Sequence, residues 1–279
     1  MIEREATLER PEATLPEEPS ETPLTHNTSK QTPETIERLA TALPRGPLLD
    51  APAGSGALAR KLARAGFEVT AAEIDRDGFL ATEVPCVPVD LDGDLPFEDQ
   101  RFSVITTMDG IEHLENPFHF VRECARVLKI GGHLIVSTPN VTSIRSRARF
   151  FFTGFHNKFK LPLDETRPDP LHHINPLTYQ ELRYALHVSG LELIECTTNR
   201  VKGAAWPYLL IWPLVYLATT LAFRREKIDA IRKAHPEIRR HLLSRDVFLG
   251  ETLILVAKKT GEPALKVGPE PGADDRRRD

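Results

Sequence analysis

Between Gly46 and Lys259, short apolar or β-branched runs alternate with helical patterns, and this alternation constrains the fold more than any other feature of the chain. The runs "GPLLDAP", "FEVTAAE", "CVPVD", "RFSVITTM" and "HLIVSTP" read as strands, separated by "GALARKLARAG" and "PFHFVRECARVLKIGG" as helices. Strands and helices in this order form an α/β fold with a mainly parallel sheet covered on both faces. Two later strand-like runs, "LELIECTT" and "ETLILVAKK", flank a long insertion. The first helix is expected at "TPETIERLATAL", with Thr32 as its cap and Pro33 in its first position.

One domain over 32–260 is therefore expected, with a hydrophobic and basic excursion at 200–246. An acidic, proline-rich tail over 1–31 and a second tail over 261–279 read as disordered, and the start has no basic-then-apolar signal pattern. The 279 residues are 41% hydrophobic and carry a formal charge of −4, so no nucleic-acid partner is indicated. Even the basic run "RREKIDAIRKAHPEIRRHLLSR" lacks interleaved aromatics and reads as an exposed helix. Cys86, Cys124 and Cys196 are odd in number and widely spaced, which suggests neither a disulfide framework nor zinc and fits a reducing, cytoplasmic setting. No metal is recommended by ligand spacing.

In a doubly wound sheet, ligands sit beyond the carboxyl ends of the strands, at the first βα turn. That turn holds Gly54-x-Gly56-x-x-Ala59, and the second strand ends on Glu73, placed for a ribose. Alone this is a loose dinucleotide fingerprint, compatible with NAD, or merely a tight turn and a solvated strand end. Asp50 adds information, because a carboxylate before the glycines repels a pyrophosphate and attracts a ligand bearing an ammonium and a sulfonium. S-adenosylmethionine carries both. Asp90, ending the third strand, is placed to accept from an adenine amino group.

In these segments, from about Gly46 to Gly190, the sequence resembles the class I S-adenosylmethionine-dependent methyltransferases. "LLDAPAGSG" is similar to their first motif, "VTAAEID" to the acidic end of strand two and "VDLDGDLPFEDQRFSVI" to the adenine-side loop. "TTMDGIEHLENP" resembles the active-site segment after strand four, and "VRECARVLKIGGHLIVSTPN" the approach to strand five. The resemblance implies a Rossmann-like, doubly wound, mainly parallel seven-stranded sheet with a C-terminal antiparallel strand and a hydrophobic insertion before it. It also implies that Asp50, Ala51, Gly54 and Gly56 line the methionine half of the cofactor, Glu73 the ribose, Asp90 and Leu91 the adenine, and that Met108 and Asp109 close the site. Pro52 replaces the first motif glycine, and Ser103 replaces the usual acid of strand four. The likeness is to the branch that modifies quinones, lipids, sugars and other small molecules, including the MetW-like group, and no segment typical of nucleobase amino methylation follows strand four.

Methyl transfer from a sulfonium is an in-line displacement governed by positioning, and a base helps when the acceptor is a hydroxyl. Candidate bases are His113, which reads first as a lock for its turn, and His172 and His173, which end an irregular, lid-like stretch. Glu112 reads as structural. Arg145, Arg147 and Arg149 form either an anion site or the wet face of a helix. A nicotinamide oxidoreductase would explain only the glycines, Ala59 and Glu73, and a non-catalytic binding protein of the same fold stays open.

From Ala204 to Phe223 the chain carries no charge, and the length suits a membrane span. The flanking strands belong to one sheet in this family, however, and Pro207 and Pro213 interrupt the helix. Trp206, Tyr208, Trp212 and Tyr216, with Arg200, Lys202, Arg224, Arg225 and Lys227 at the margins, point to a peripheral element on the cytoplasmic face of a membrane, serving a lipid-linked or hydrophobic acceptor. A lid or a dimer contact is the alternative.

Overall fold

The computed structural model describes residues 31–159, 162–163, 165–166, 172–225 and 229–261. The expected tails fall almost wholly outside these residues, as do much of the lid-like stretch before His172 and, in the excursion, Lys227.

Eight α-helices and seven strands are seen among the described residues. In chain order they are α1 (Gln31–Thr41), β1 (Pro47–Asp50), α2 (Ala57–Arg64), β2 (Glu68–Glu73), β3 (Cys86–Pro88), β4 (Phe102–Met108), α3 (Pro117–Val127), β5 (Leu128–Pro139) and α4 (Ile144–Thr153). Then come α5 (Tyr179–Val188), β6 (Leu191–Thr198), α6 (Trp212–Arg224), α7 (Asp229–Leu242), α8 (Arg245–Leu249) and β7 (Thr252–Lys259). Two 3-10 segments, Ile111–His113 and Gly203–Ile211, precede α3 and α6. The sheet runs β3-β2-β1-β4-β5-β7-β6, parallel except for β7, which pairs antiparallel with both β5 and β6.

Near-continuous apolar strands follow from this two-sided cover. Leu49, Ile105, Leu134, Val136 and Leu255 share one buried cluster with Phe120, Cys124, Leu182 and Leu186 of α3 and α5. Their neighbours Leu48, Val104, Ile135 and Ile254 share the other with Ile36 of α1 and Leu58 and Leu62 of α2. Adjacent residues thus serve opposite faces, as the two-residue period of a strand requires. Local signals set the helix starts: Asn116 caps α3 ahead of Pro117, and Thr178 with Glu181 forms a capping box for α5.

Two boundaries differ from expectation. Thr32 lies inside α1 instead of capping it, and its buried hydroxyl accepts a hydrogen bond from the Asn199 side chain at 3.0 Å. The helix expected through "LKIGG" stops at Val127, because Leu128 already pairs with Phe102 as the irregular start of β5. There the pairing partner outweighs the helical pattern.

Candidate active site

The carboxyl ends of β1, β2 and β4 converge on one turn. Asp50, the last residue of β1, is buried, and its Oδ1 accepts from the Thr106 hydroxyl of β4 at 2.7 Å. Its Oδ2 is buried with no hydrogen-bond partner. Burial first, and the nearby Glu73 charge second, push the Asp50 carboxyl up to about 7. An unsatisfied buried oxygen beside a glycine turn suits a cationic ligand, which would supply both the missing partner and the missing counter-charge.

The turn itself is pinned by Glu73, whose Oε2 accepts from the Gly54 N–H at 2.7 Å and whose Oε1 accepts from the Ile74 and Asp75 N–H groups at 3.0 and 3.2 Å. The residue that the sequence offers as the ribose acid is thus seen to fix the loop. Gly54 has φ +54° and open space where a Cβ would stand, so a ligand can approach its backbone. Gly56 has φ +83°, but a Cβ there would lie 2.5 Å from Ala81 Cβ and 2.6 Å from Phe79 Cε2. Its lack of a side chain serves packing against 79–81, a role distinct from the ligand contact inferred from sequence. Ala51 is fully buried, and Pro52 rests on Gly110, where a Cβ would meet the proline ring at 2.3 Å. The proline at the first motif position thus fills space that Gly110 leaves.

Leu91 is buried, and the exposed Asp90 folds back to accept from the Asp92 N–H at 3.0 Å. Met108 ends β4, and Asp109 adopts φ +47°, held by the Ser137 hydroxyl donating to its Oδ1 at 2.6 Å. All these groups lie at or just beyond the carboxyl ends of neighbouring strands, the end at which ligands sit in a doubly wound sheet.

Past Asp109 the chain makes the 3-10 turn Ile111–His113, and the segment 172–178 is tied over it by the Ile174 and Asn175 N–H groups, both donating to the Glu112 carbonyl at 3.0 Å. His113 Nδ1 lies 3.0 Å from the His172 carbonyl oxygen. A carbonyl only accepts, so Nδ1 carries the hydrogen and the lone pair sits on Nε2. The His113 and His173 rings meet edge to face at 4.6 Å, whereas His172 enters this arrangement through its carbonyl. Burial, then the His113 and Lys158 charges, lowers His173 to about 4, so its ring is neutral at pH 7. The unfolded chain binds that proton more readily, so this contribution to stability is present above about 6.5 and is lost as pH falls toward 4.

Glu112, read as structural from sequence, is fully buried: Oε2 accepts from Thr138 Oγ1 at 3.0 Å and Oε1 has no partner. Burial and the Asp109 charge hold its carboxyl well above the usual range. One potential donor atom from each of Glu112, His113 and His173 lies within 4.8 Å of the others, a set able to hold a divalent ion or to share a proton. Sequence spacing could not reveal this, since His173 lies far along the chain from the other two. Arg147 loses its solvent shell in part and reaches over the Phe248 ring at 6.0 Å, so α4 does not present its arginines as one wet face.

A family model described as a methyltransferase domain matches residues 24–196, more than half of the chain. A ubiquinone biosynthesis O-methyltransferase of Proteus mirabilis is 32% identical over 102 residues, which is 33% of this chain and 42% of that protein. Another, of Caulobacter vibrioides, is 36% identical over 104 residues, 34% of this chain and 41% of its own length. The chain thus spans about two fifths of these curated relatives. A SAM-dependent methyltransferase of Archaeoglobus fulgidus shares the fold with a TM-score of 0.52 at 20% identity, over 81% of this chain and 94% of that one.

If the Asp50 carboxyl must ionise to meet a cation, cofactor affinity will depend on pH. Binding of S-adenosylmethionine followed by calorimetry is expected to weaken about tenfold per pH unit below about 7 and to level off above it. Asp50→Asn should flatten that dependence. A flat profile in the intact protein would remove Asp50 from the cofactor site.

Proposed function

The chain belongs to the methyltransferase domain family, whose cofactor is S-adenosylmethionine, and from that membership we propose that it methylates a hydroxyl group of a small organic acceptor. The observation that carries the hydroxyl is the meeting of Glu112, His113 and His173 just past Asp109, with the hydrogen of His113 fixed on Nδ1. The name of the relatives, O-methyltransferase, supports the same reading.

The residues present fit the cofactor. Asp50 offers a buried, unpartnered oxygen, Gly54 an open backbone, Glu73 an acid at the end of β2 and Asp90 an acid two residues beyond β3. When bound, S-adenosylmethionine supplies an electrophilic methyl carbon on a sulfonium. His113 Nε2 accepts the acceptor's hydroxyl proton, while the His172 carbonyl holds the ring in that tautomer. Neutral His173 packs against the same ring and adds no competing charge at pH 7. Segment 172–178 is held against the turn by its two hydrogen bonds to the Glu112 carbonyl.

Labelled methyl transfer to a panel of phenols, alcohols, amines and thiols tests the proposal, with product formation expected for hydroxyl acceptors and retained in EDTA. Transfer only to amines or thiols would overturn the hydroxyl assignment. Loss of transfer in EDTA, restored by a divalent ion, would replace base catalysis by an ion held on the same three side chains.

A further inference from the structure

The segment Gly203–Arg224 has the length and mean hydropathy, 1.4, of a membrane span, and none of its most apolar window is buried in the protein. Leu210 is 87% exposed, Leu214 68% and Leu217 54%. A second apolar surface stands on α4, where Phe151 and Phe152 are each 81% exposed. These are two parts of one corner. Ile144 of α4 packs with Ala205 and with Phe248 and Leu249 of α8, and Tyr208, Trp212 and Val215 close over the same cluster. Leaving so much apolar surface in water on two neighbouring elements is costly for a protein that exists alone.

The corner is also positively charged. No acidic residue occurs in 140–163 or in 199–225. Arg245 lies over the Trp206 ring at 5.6 Å and Arg239 over the Tyr216 ring at 5.8 Å, while Arg224 and Arg225 are exposed at the end of α6. Arg200 and Lys202, which the sequence offers to lipid, are instead paired with Glu251, at 2.5 Å each. Aromatic rings under guanidinium groups, beside exposed leucines and phenylalanines, match the layered chemistry of an anionic lipid surface. A crossing is excluded by topology, because β6 and β7 pair on either side of the segment and Val201 bridges to Gly250. Both ends return to one sheet edge.

We propose that α4 and the Gly203–Arg224 segment together form a monotopic docking surface for anionic lipid bilayers. The surface seats α4 at the membrane, and α4 follows directly from the carboxyl end of β5, beside the turn that carries His113. The docking itself does not depend on which atom is methylated.

Flotation of the full chain with vesicles of equimolar phosphatidylcholine and phosphatidylglycerol, against phosphatidylcholine alone, is the test. The protein is expected to float with the mixed vesicles and to partition at least about tenfold less into the neutral ones. Phe151→Ser/Phe152→Ser and, separately, Leu210→Ser/Leu214→Ser should each cut flotation about tenfold or more. Arg224→Glu/Arg225→Glu should remove the preference for anionic lipid. Binding of S-adenosylhomocysteine should be unchanged in all three, which separates loss of docking from loss of fold and from failure of the methyl-transfer reading. Failure of the intact protein to float with either vesicle would overturn the proposal. So would a stable dimer in ultracentrifugation that the leucine pair abolishes without any effect on flotation. Undiminished flotation of the phenylalanine pair would overturn the part assigned to α4.

Discussion

Replacing His113 with alanine is expected to lower kcat about a hundredfold to ten-thousandfold while leaving cofactor affinity unchanged, the range typical of a lost general base. Asparagine makes the sharper test. Its side-chain amide can still donate to the His172 carbonyl, which His113 Nδ1 now meets at 3.0 Å, but it cannot take a proton at neutral pH. Equal loss in the alanine and asparagine variants is the expected result, read from kcat under saturating acceptor. Recovery of turnover by asparagine would make His113 a lock for its turn and would leave the proton to another group.

A second large effect is expected at the glycine turn, where two positions that look alike should behave oppositely. Gly56→Ala places a methyl group at φ +83° and within 2.6 Å of both Ala81 and Phe79. Backbone strain and overpacking together should cost about 2–5 kcal/mol, visible as a lower denaturation midpoint. Gly54→Ala meets only open space at φ +54°, so its cost should be confined to about 1–2 kcal/mol of strain. That variant should instead weaken S-adenosylmethionine binding, because its methyl group points where a ligand would come close. Similar denaturation midpoints for the two variants would contradict this division.

These expectations show what the sequence makes legible and what it hides. The strands and the acids at their ends are local features: Leu48 and Leu49 face opposite layers, and Asp50 and Glu73 end their strands as the periodicity implied. Pro52 was a visible departure from the motif, yet the space that accommodates it belongs to Gly110, on another strand's exit. Groups distant in sequence are harder to find. The pairing of Arg200 and Lys202 with Glu251, and the approach of His173 to Glu112 and His113, exist only once β6, β7 and the segment before α5 are placed. That Phe151 and Phe152 of α4 stand in solvent is not legible in the sequence, because exposure is a property of the assembled fold and periodicity carries no record of it.

The bridge between Val201 and Gly250 gives the apolar excursion an independence of its own. Its two ends are already neighbours, so the entropic cost of closing the loop is met by the sheet and grows only slowly with the number of residues between them. The sheet that positions Asp50 and Glu73 therefore places little restriction on the exposed part of Gly203–Arg224, whereas Ile238, Val247, Phe248 and Leu249 further along the same loop are held in the core. On the docking proposal, substitutions on that exposed part retune the surface the protein settles on while the chemistry keeps its geometry, so address and reaction can evolve at separate rates within one polypeptide.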